Sequence, residues 1–272
     1  MSYLKNLFDF YLNSSIHVAL AVFSFVKVTE IYYELAGHEN LSYFIFFATI
    51  TGYNFVKYFG IAKFHHRSLT QDLKIIQIFS FVCFVLMCFY GFQLSIKTLF
   101  LLAGFGLLTI LYAIPFLSGF QKNLRNISYL KIVVVGLVWA GVTVVVPVFN
   151  SHDITDYSII SLQFSQRFLL VCVLILPFDI RDIKYDAISL QTIPKKIGIK
   201  NTKKLGFVLL IFALVIEFLI STQTTSKNVF LGFSLVTLLF LMRAKENQSN
   251  YYSSFFVESL PIIWWIFLAY II

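Results

Sequence analysis

Apolar runs of about 20 residues recur from one end of this chain to the other, and a run of that length is what a helix needs to cross a bilayer. Nine stretches read as spans, at roughly 16–36, 41–62, 75–94, 97–118, 130–149, 165–181, 205–221, 228–242 and 254–272. The eighth is short, and the sixth ends in Pro177 with charges just behind it. Composition agrees. Of the 272 residues, 59% are hydrophobic and only 12% charged, whereas soluble domains carry about 25% charge. With 12 Gly and 5 Pro the chain is not collagen-like, and its shortage of charge excludes disorder. Cys83, Cys88 and Cys172 all fall inside apolar runs, so they read as small buried hydrophobes rather than disulfide or zinc partners. The expected class is all-α, a polytopic membrane bundle in which residues 1–272 form a single transmembrane domain. No cleavable signal peptide is expected at the N-terminus.

The net charge of +8 is distributed topologically. Lys5, the 57–74 loop, the 122–131 loop, the 181–204 loop and the 243–245 loop together hold seventeen Lys and Arg residues on one side. The other side holds Lys97, Arg167 and Lys227, and Lys27 falls within the first span. Short-loop Lys and Arg mark the cytoplasmic face, so the N-terminus is expected in the cytoplasm and the C-terminus on the opposite side. Glu34, Glu39, Asp153 and Asp156 fall in the outer loops. No basic stripe in exposed polar sequence is present to hold nucleic acid.

After the sixth span, Leu176-Pro-Phe-Asp-Ile-Arg-Asp-Ile-Lys-Tyr-Asp186 places carboxylates at 179, 182 and 186. Spacings of three and four put all three on one helical face. Like charges stacked at a membrane edge repel, and a shared cation relieves them. Hard oxygen ligands of this reach suit Mg²⁺ held jointly with a substrate phosphate. The alternative is a solvated turn in which Arg181 and Lys184 neutralise the carboxylates. Thr192-Ile-Pro-Lys-Lys-Ile-Gly198 follows, then Lys200, Lys203 and Lys204. This is a positive collar for a diphosphate, or simply a set of topogenic markers.

The run "DIRDIKYD…TIPKKIG", with "LLTILYAIPF" at 107–116 and "LRNISYLKI" at 124–132, resembles the UbiA-type intramembrane prenyltransferases. That resemblance implies nine transmembrane helices around a central cavity open to the cytoplasmic side, with aspartate-rich loops after helices two and six. It implies an enzyme that transfers a prenyl group (an alkyl group other than methyl) from a Mg²⁺-bound prenyl diphosphate to an aromatic or other hydrophobic acceptor. Asp179, Asp182 and Asp186 would then be the metal-holding and catalytic carboxylates. Arg181 and nearby basic residues would neutralise the departing diphosphate, where charge develops. A dry aromatic cavity would protect the carbocation.

The first aspartate-rich motif of that family, N-D-x-x-D-x-x-x-D, meets Asn54-Phe-Val-Lys-Tyr-Phe-Gly-Ile-Ala62 here. The asparagine is kept, but Phe55, Tyr58 and Ala62 stand in the aspartate positions. Two readings follow. In one, Lys57, Lys63 and Arg67, with His65 or His66, hold the diphosphate directly in place of metal. In the other, the fold is kept without the reaction and binds a prenyl lipid or acts as a scaffold. Asn54 and Tyr58, one turn apart, can share a cavity or bond between helices. Lys131, where the fifth span starts, is placed to approach a bound headgroup or to mark topology. Lys27 and Glu30 are one turn apart inside the first span, so they either pair or serve function. Glu258, isolated in apolar sequence, is a cavity residue or one that snorkels to the edge. No nucleophilic Ser/His/Asp set and no phosphate-cradling glycine loop occurs. A small-solute transporter is a third reading, disfavoured because the polar cluster lies at the membrane boundary rather than the midplane. The partners expected are a prenyl diphosphate, a hydrophobic acceptor and membrane lipids.

Overall fold

The computed structural model describes residues 2–35, 39–64, 71–113, 130–151, 156–184 and 192–271. Among these there is no strand, and a helix lies over every expected span. The helices are α1 (Ser2–Asn13), α2 (Ile16–Tyr32), α3 (Glu39–Phe64), α4 (Gln71–Gly91), α5 (Ile96–Ala113), α6 (Leu130–Ala140), α7 (Val146–Ser151), α8 (Tyr157–Asp182), α9 (Ile193–Ile220), α10 (Thr224–Arg243) and α11 (Leu260–Ile271). By length and hydropathy, Leu73–Gly91, Leu130–Ser151, Tyr157–Asp182, Thr224–Arg243 and Tyr252–Ile271 can each cross a membrane, and the bent pair α1–α2 adds one more. The protein is an integral, multi-pass membrane protein.

Helix α2 is buried round most of its circumference, from His17 and Val18 to Val28 and Thr29, and up to Glu30 only the stripe Ile16, Leu20, Phe23, Lys27 and Glu30 is half-buried, as expected of a helix well inside a bundle. It packs against α3 on one side and α11 on the other. The chain of neighbours continues from α11 through α10, α9 and α8 to α6. The main apolar core lies among α2, α8, α9, α10 and α11, around Phe25, Leu170, Phe230 and Trp264. Helix α4 packs on α3 and is the most peripheral of the long apolar helices.

Proline explains two irregular segments. Gly141–Val145, between α6 and α7, is π-helical, and so is Tyr252–Val257 just before α11. Pro147 and Pro261 follow them. Each proline lacks an N–H and crowds the carbonyl four residues back, and an inserted residue relieves that crowding. The carbonyl that Pro147 leaves without its usual partner is that of Thr143. The hydroxyl of Thr29 in α2 donates to it at 2.7 Å, which locks α2 onto the bulge.

Three boundaries differ from the sequence reading. The helix expected at 165–181 starts at Tyr157 because Asp156 caps it, its side chain accepting from the Ser158 backbone N–H at 2.7 Å. Arg167 is therefore not an outer-loop charge; it is fully buried within α8. Helix α9 starts at Ile193, twelve residues before the expected span, and breaks at Gly198, whose φ of 78° suits glycine. Ser2–Asn13, outside every expected span, form α1, set at 52° to α2. The break falls at Ser15, which has a left-handed φ of 65°.

Candidate functional site

The acidic end of α8 meets the first turn of α6. Asp179 is buried (1% exposed), a costly position for an unpaired carboxylate. Lys131 Nζ donates to its Oδ1 at 2.7 Å. Asp182 is one turn further on and takes another partner, with Arg181 Nε and Nη2 donating to its two oxygens at 2.7 and 3.2 Å. Helix α8 ends at Asp182, and among the described residues the face expected for the carboxylates carries Asp179 and Asp182. Lys184, just beyond, donates to Asn247 after α10. Asp186, Arg67 and the side chain of Lys63 lie outside the described residues.

Asn54, Lys57 and Tyr58 come together, as their spacing suggests, but against the α1–α2 break. Asn54 Nδ2 donates to the Ser14 carbonyl at 3.0 Å and to Ser80 Oγ at 2.6 Å, and its Oδ1 accepts from Ser15 Oγ at 2.8 Å. Lys57 Nζ donates to Ser15 Oγ at 2.9 Å, and the Tyr58 hydroxyl donates to the Asn13 carbonyl at 2.9 Å. The stretch that matches the first motif by position is thus a clamp on a bend.

Glu258 joins the two halves. It follows the second π segment and is within electrostatic reach of Lys57 on α3 and Arg181 on α8, and its charge is felt by Tyr11 and Tyr53. Tyr53 accepts a hydrogen bond from Trp139 Nε1 at 2.9 Å and neighbours Tyr112, which in turn neighbours Lys131. Lys131 also senses Asp182. Lys57, Lys131, Arg181, Asp179, Asp182 and Glu258 therefore form one electrostatically connected group, with Tyr53, Tyr112 and Trp139 beside it. Cations of this kind bind phosphate oxygens, and aromatic faces suit an allylic cation. The α1 helix closes over the same end, where the Tyr251 hydroxyl donates to Asp9 at 2.6 Å. That carboxylate pushes the Tyr251 phenol above its ordinary value.

The described residues do not fit Mg²⁺. No group of three or more Asp, Glu, His or Cys among them is placed to share an ion. Phe55 and Tyr58 bring no carboxylate, and Asp179 and Asp182 already accept from side-chain cations. What this arrangement offers is charge carried by lysine and arginine.

Several residues escape the sequence reading. Tyr53 and Tyr112 carry no signal beyond being aromatic. A second polar cluster lies about 18 Å from Asp179 along α8, given the helical rise over twelve residues. In it, Arg167 Nη1 donates to the Phe25 carbonyl at 2.7 Å, with its guanidinium 4.4 Å from the Phe25 ring centre. Glu217 accepts from Tyr32 at 2.6 Å and from Gln166 at 2.7 Å. A lone Glu in an apolar run, the feature that singles out Glu258, is present at Glu217 too.

No protein-family model matches the chain, and no curated protein does. Solved structures do. A UbiA homologue from Archaeoglobus fulgidus bound to DMAPP and Mg²⁺ is 14% identical over 96% of both chains, with a TM-score of 0.62. The same homologue bound to GPP and Mg²⁺ gives 13% identity over 96% of this chain and 99% of that one, at 0.63. A digeranylgeranylglyceryl phosphate synthase is 14% identical over 100% of this chain and 98% of its own, at 0.58. Likeness at this level of identity speaks to architecture, and it spans the whole length: the chain has the UbiA-type fold.

Proposed function

We propose that this protein binds a prenyl diphosphate at the basic end of the bundle and transfers the prenyl group to a hydrophobic or aromatic acceptor, slowly compared with a metal-loaded enzyme. The observation that carries this reading is the convergence of Lys57, Lys131 and Arg181 beside Tyr53, Tyr112 and Trp139, on a fold whose solved relatives hold DMAPP or GPP. In this reading Lys57, Lys131 and Arg181, with Lys63 and Arg67, take the diphosphate. Asp179 and Asp182 hold their cations in position. The basic end faces the cytoplasm, with the N-terminus there and the C-terminus opposite, and membrane lipids surround the bundle. As the allylic carbon–oxygen bond lengthens, negative charge grows on the leaving oxygen, and fixed cations stabilise it. Side-chain cations polarise it less than a divalent ion does, hence the slow turnover.

A second reading keeps binding and drops transfer. It is favoured by the hydrogen bonds that commit Asn54, Lys57 and Tyr58 to the α1–α2 bend. Titrating geranyl diphosphate in EDTA or with Mg²⁺, at low and high salt, tests both. Binding through side chains persists in EDTA and weakens with salt, since exposed charges are screened over about 8–10 Å. Loss of binding in EDTA, with little response to salt, would instead indicate an ordinary Mg²⁺ site. Release of diphosphate separates transfer from binding alone, and absence of binding under every condition removes the prenyl diphosphate reading.

A further inference from the structure

Helix α10 and the last span, Tyr252–Ile271, pack side by side. The Tyr252 hydroxyl donates to the Phe240 carbonyl at 2.6 Å, so the end of α10 meets the start of the last span and the two run antiparallel. A groove of about 490 Å³ lies between them, a volume within the range of ligand sites. It runs from Thr225 to Val236 on α10 and from Leu260 to Ile271 on α11. At the helical rise, either stretch is about 16 Å long. One leaflet is half of a bilayer's hydrocarbon core, about 15 Å.

The groove has a fixed floor, a gap in one wall and a polar end. Phe233 and Trp264 are its buried floor, stacked with ring centres 4.8 Å apart. The Arg167 guanidinium lies 5.3 Å from the Trp264 ring, so these rings are held before anything binds. The gap is Gly232. A Cβ there would meet nothing within 4 Å, although glycine weakens a helix interior. Exposed rims flank it, with Asn228 and Val236 on α10 and Ile263 and Phe267 on α11. Thr225 and Asn228 are the polar residues of the lining, and both lie near the start of α10. That is the far end from Gln248, which follows α10 and donates to the Pro177 carbonyl beside the acidic turn.

We propose that this groove holds one hydrocarbon chain of a membrane lipid, in the leaflet away from the basic site. A lipid chain is apolar along its length and polar at one end, and the groove has the same gradient over the same length. The Thr225 hydroxyl and the Asn228 amide can donate to an ester carbonyl at the head of the chain. A second copy of the protein fits the surface less well. Membrane helices approach closely through small residues four apart, whereas Gly232 stands between Asn228 and Val236. The groove shares no residue with the cluster of Lys57, Lys131 and Arg181, so this inference is independent of the prenyl diphosphate reading.

The test reconstitutes the full-length protein in dioleoylphosphatidylcholine vesicles, extracts it into mild detergent and counts the phosphatidylcholine kept per chain by native mass spectrometry. The parent should keep one molecule. Gly232→Leu fills the gap and should lower retention by about tenfold. Val236→Trp obstructs the groove one turn further along and should do the same, which covers the case of a Gly232→Leu chain that fails to fold. Gly104→Leu makes the same change at another exposed glycine with open space around it, and should retain lipid as the parent does. Unchanged retention in the folded groove variants, an equal loss in Gly104→Leu, or a parent that keeps no lipid would each overturn the proposal. A parent dimer that Gly232→Leu separates would assign the groove to a second copy instead.

Discussion

Replacing Lys131 by Met removes the ammonium that lies 2.7 Å from Asp179 while keeping most of the side-chain volume. Asp179 is then a carboxylate with 1% exposure that has lost the ammonium beside it. Breaking a buried ion pair in this way costs about 3–5 kcal/mol. Lys131 is 28% exposed, so water screens part of the interaction and the lower end of that range, about 3 kcal/mol, applies. For a chain of this size about 3 kcal/mol lowers the melting temperature by about 6–12 °C. The assay is thermal unfolding in detergent, followed by near-UV circular dichroism, for Lys131→Met, Asp179→Asn and the double variant. The double variant should recover at least half of the loss, because the amide at 179 no longer leaves a buried charge unbalanced. A melting temperature for Lys131→Met within about 1 °C of the parent, or a double variant as unstable as the two single losses added together, would refute the claim that this pair balances a buried charge.

Two further outcomes follow from the packing and the caps. A Cβ added at Gly141 would sit 2.1 Å from two atoms of the Phe105 ring. Gly141→Ala should therefore cost about 1–3 kcal/mol of overpacking, measured by the same melts, and Phe105→Leu in the same chain should relieve it. Asp156 caps α8 through the Ser158 N–H, and those hydrogen bonds hold its carboxyl below the ordinary value of 3.8. Its contribution is thus fully present above pH 3.8 and is lost as pH falls through the lower folded value. Asp156→Ala should melt lower than the parent at pH 7, with the difference closing in acid, and a gap that stays constant across that range would contradict the cap.

The helices were legible because their signal is long and redundant: about 20 consecutive apolar residues survive many local exceptions. The Lys27–Glu30 pair was legible as well, since spacing of three on a helix brings side chains together, and the ammonium lies 2.7 Å from the carboxylate. The site was readable only in fragments. Lys131 and Asp179 are 48 residues apart, and nothing local to either announces the other. Asn54, Lys57 and Tyr58 carry the right periodicity for a shared face, but what that face meets depends on a bend at Ser15 that no glycine or proline signals. Arg167 misled because a cation beside a predicted span boundary reads as a loop marker. Only the Asp156 cap, eleven residues earlier, shows that the helix has already begun. The π segments had a usable signal in Pro147 and Pro261, which the count of apolar residues ignores.

The clamp at the α1–α2 bend makes acidic ligands on α3 costly to install. Putting an aspartate at position 58 would remove the hydroxyl that holds the Asn13 carbonyl, and it would set a new negative charge next to Lys57, which Ser15 now anchors. Installing a carboxylate on this face would have to rebuild the bend before any ion could be held, and each intermediate step would carry a loosened N-terminal helix. On this chain α3 serves as a fastening, so any change at Asn54, Lys57 or Tyr58 acts on the hold over α1 as well as on the charge beside it.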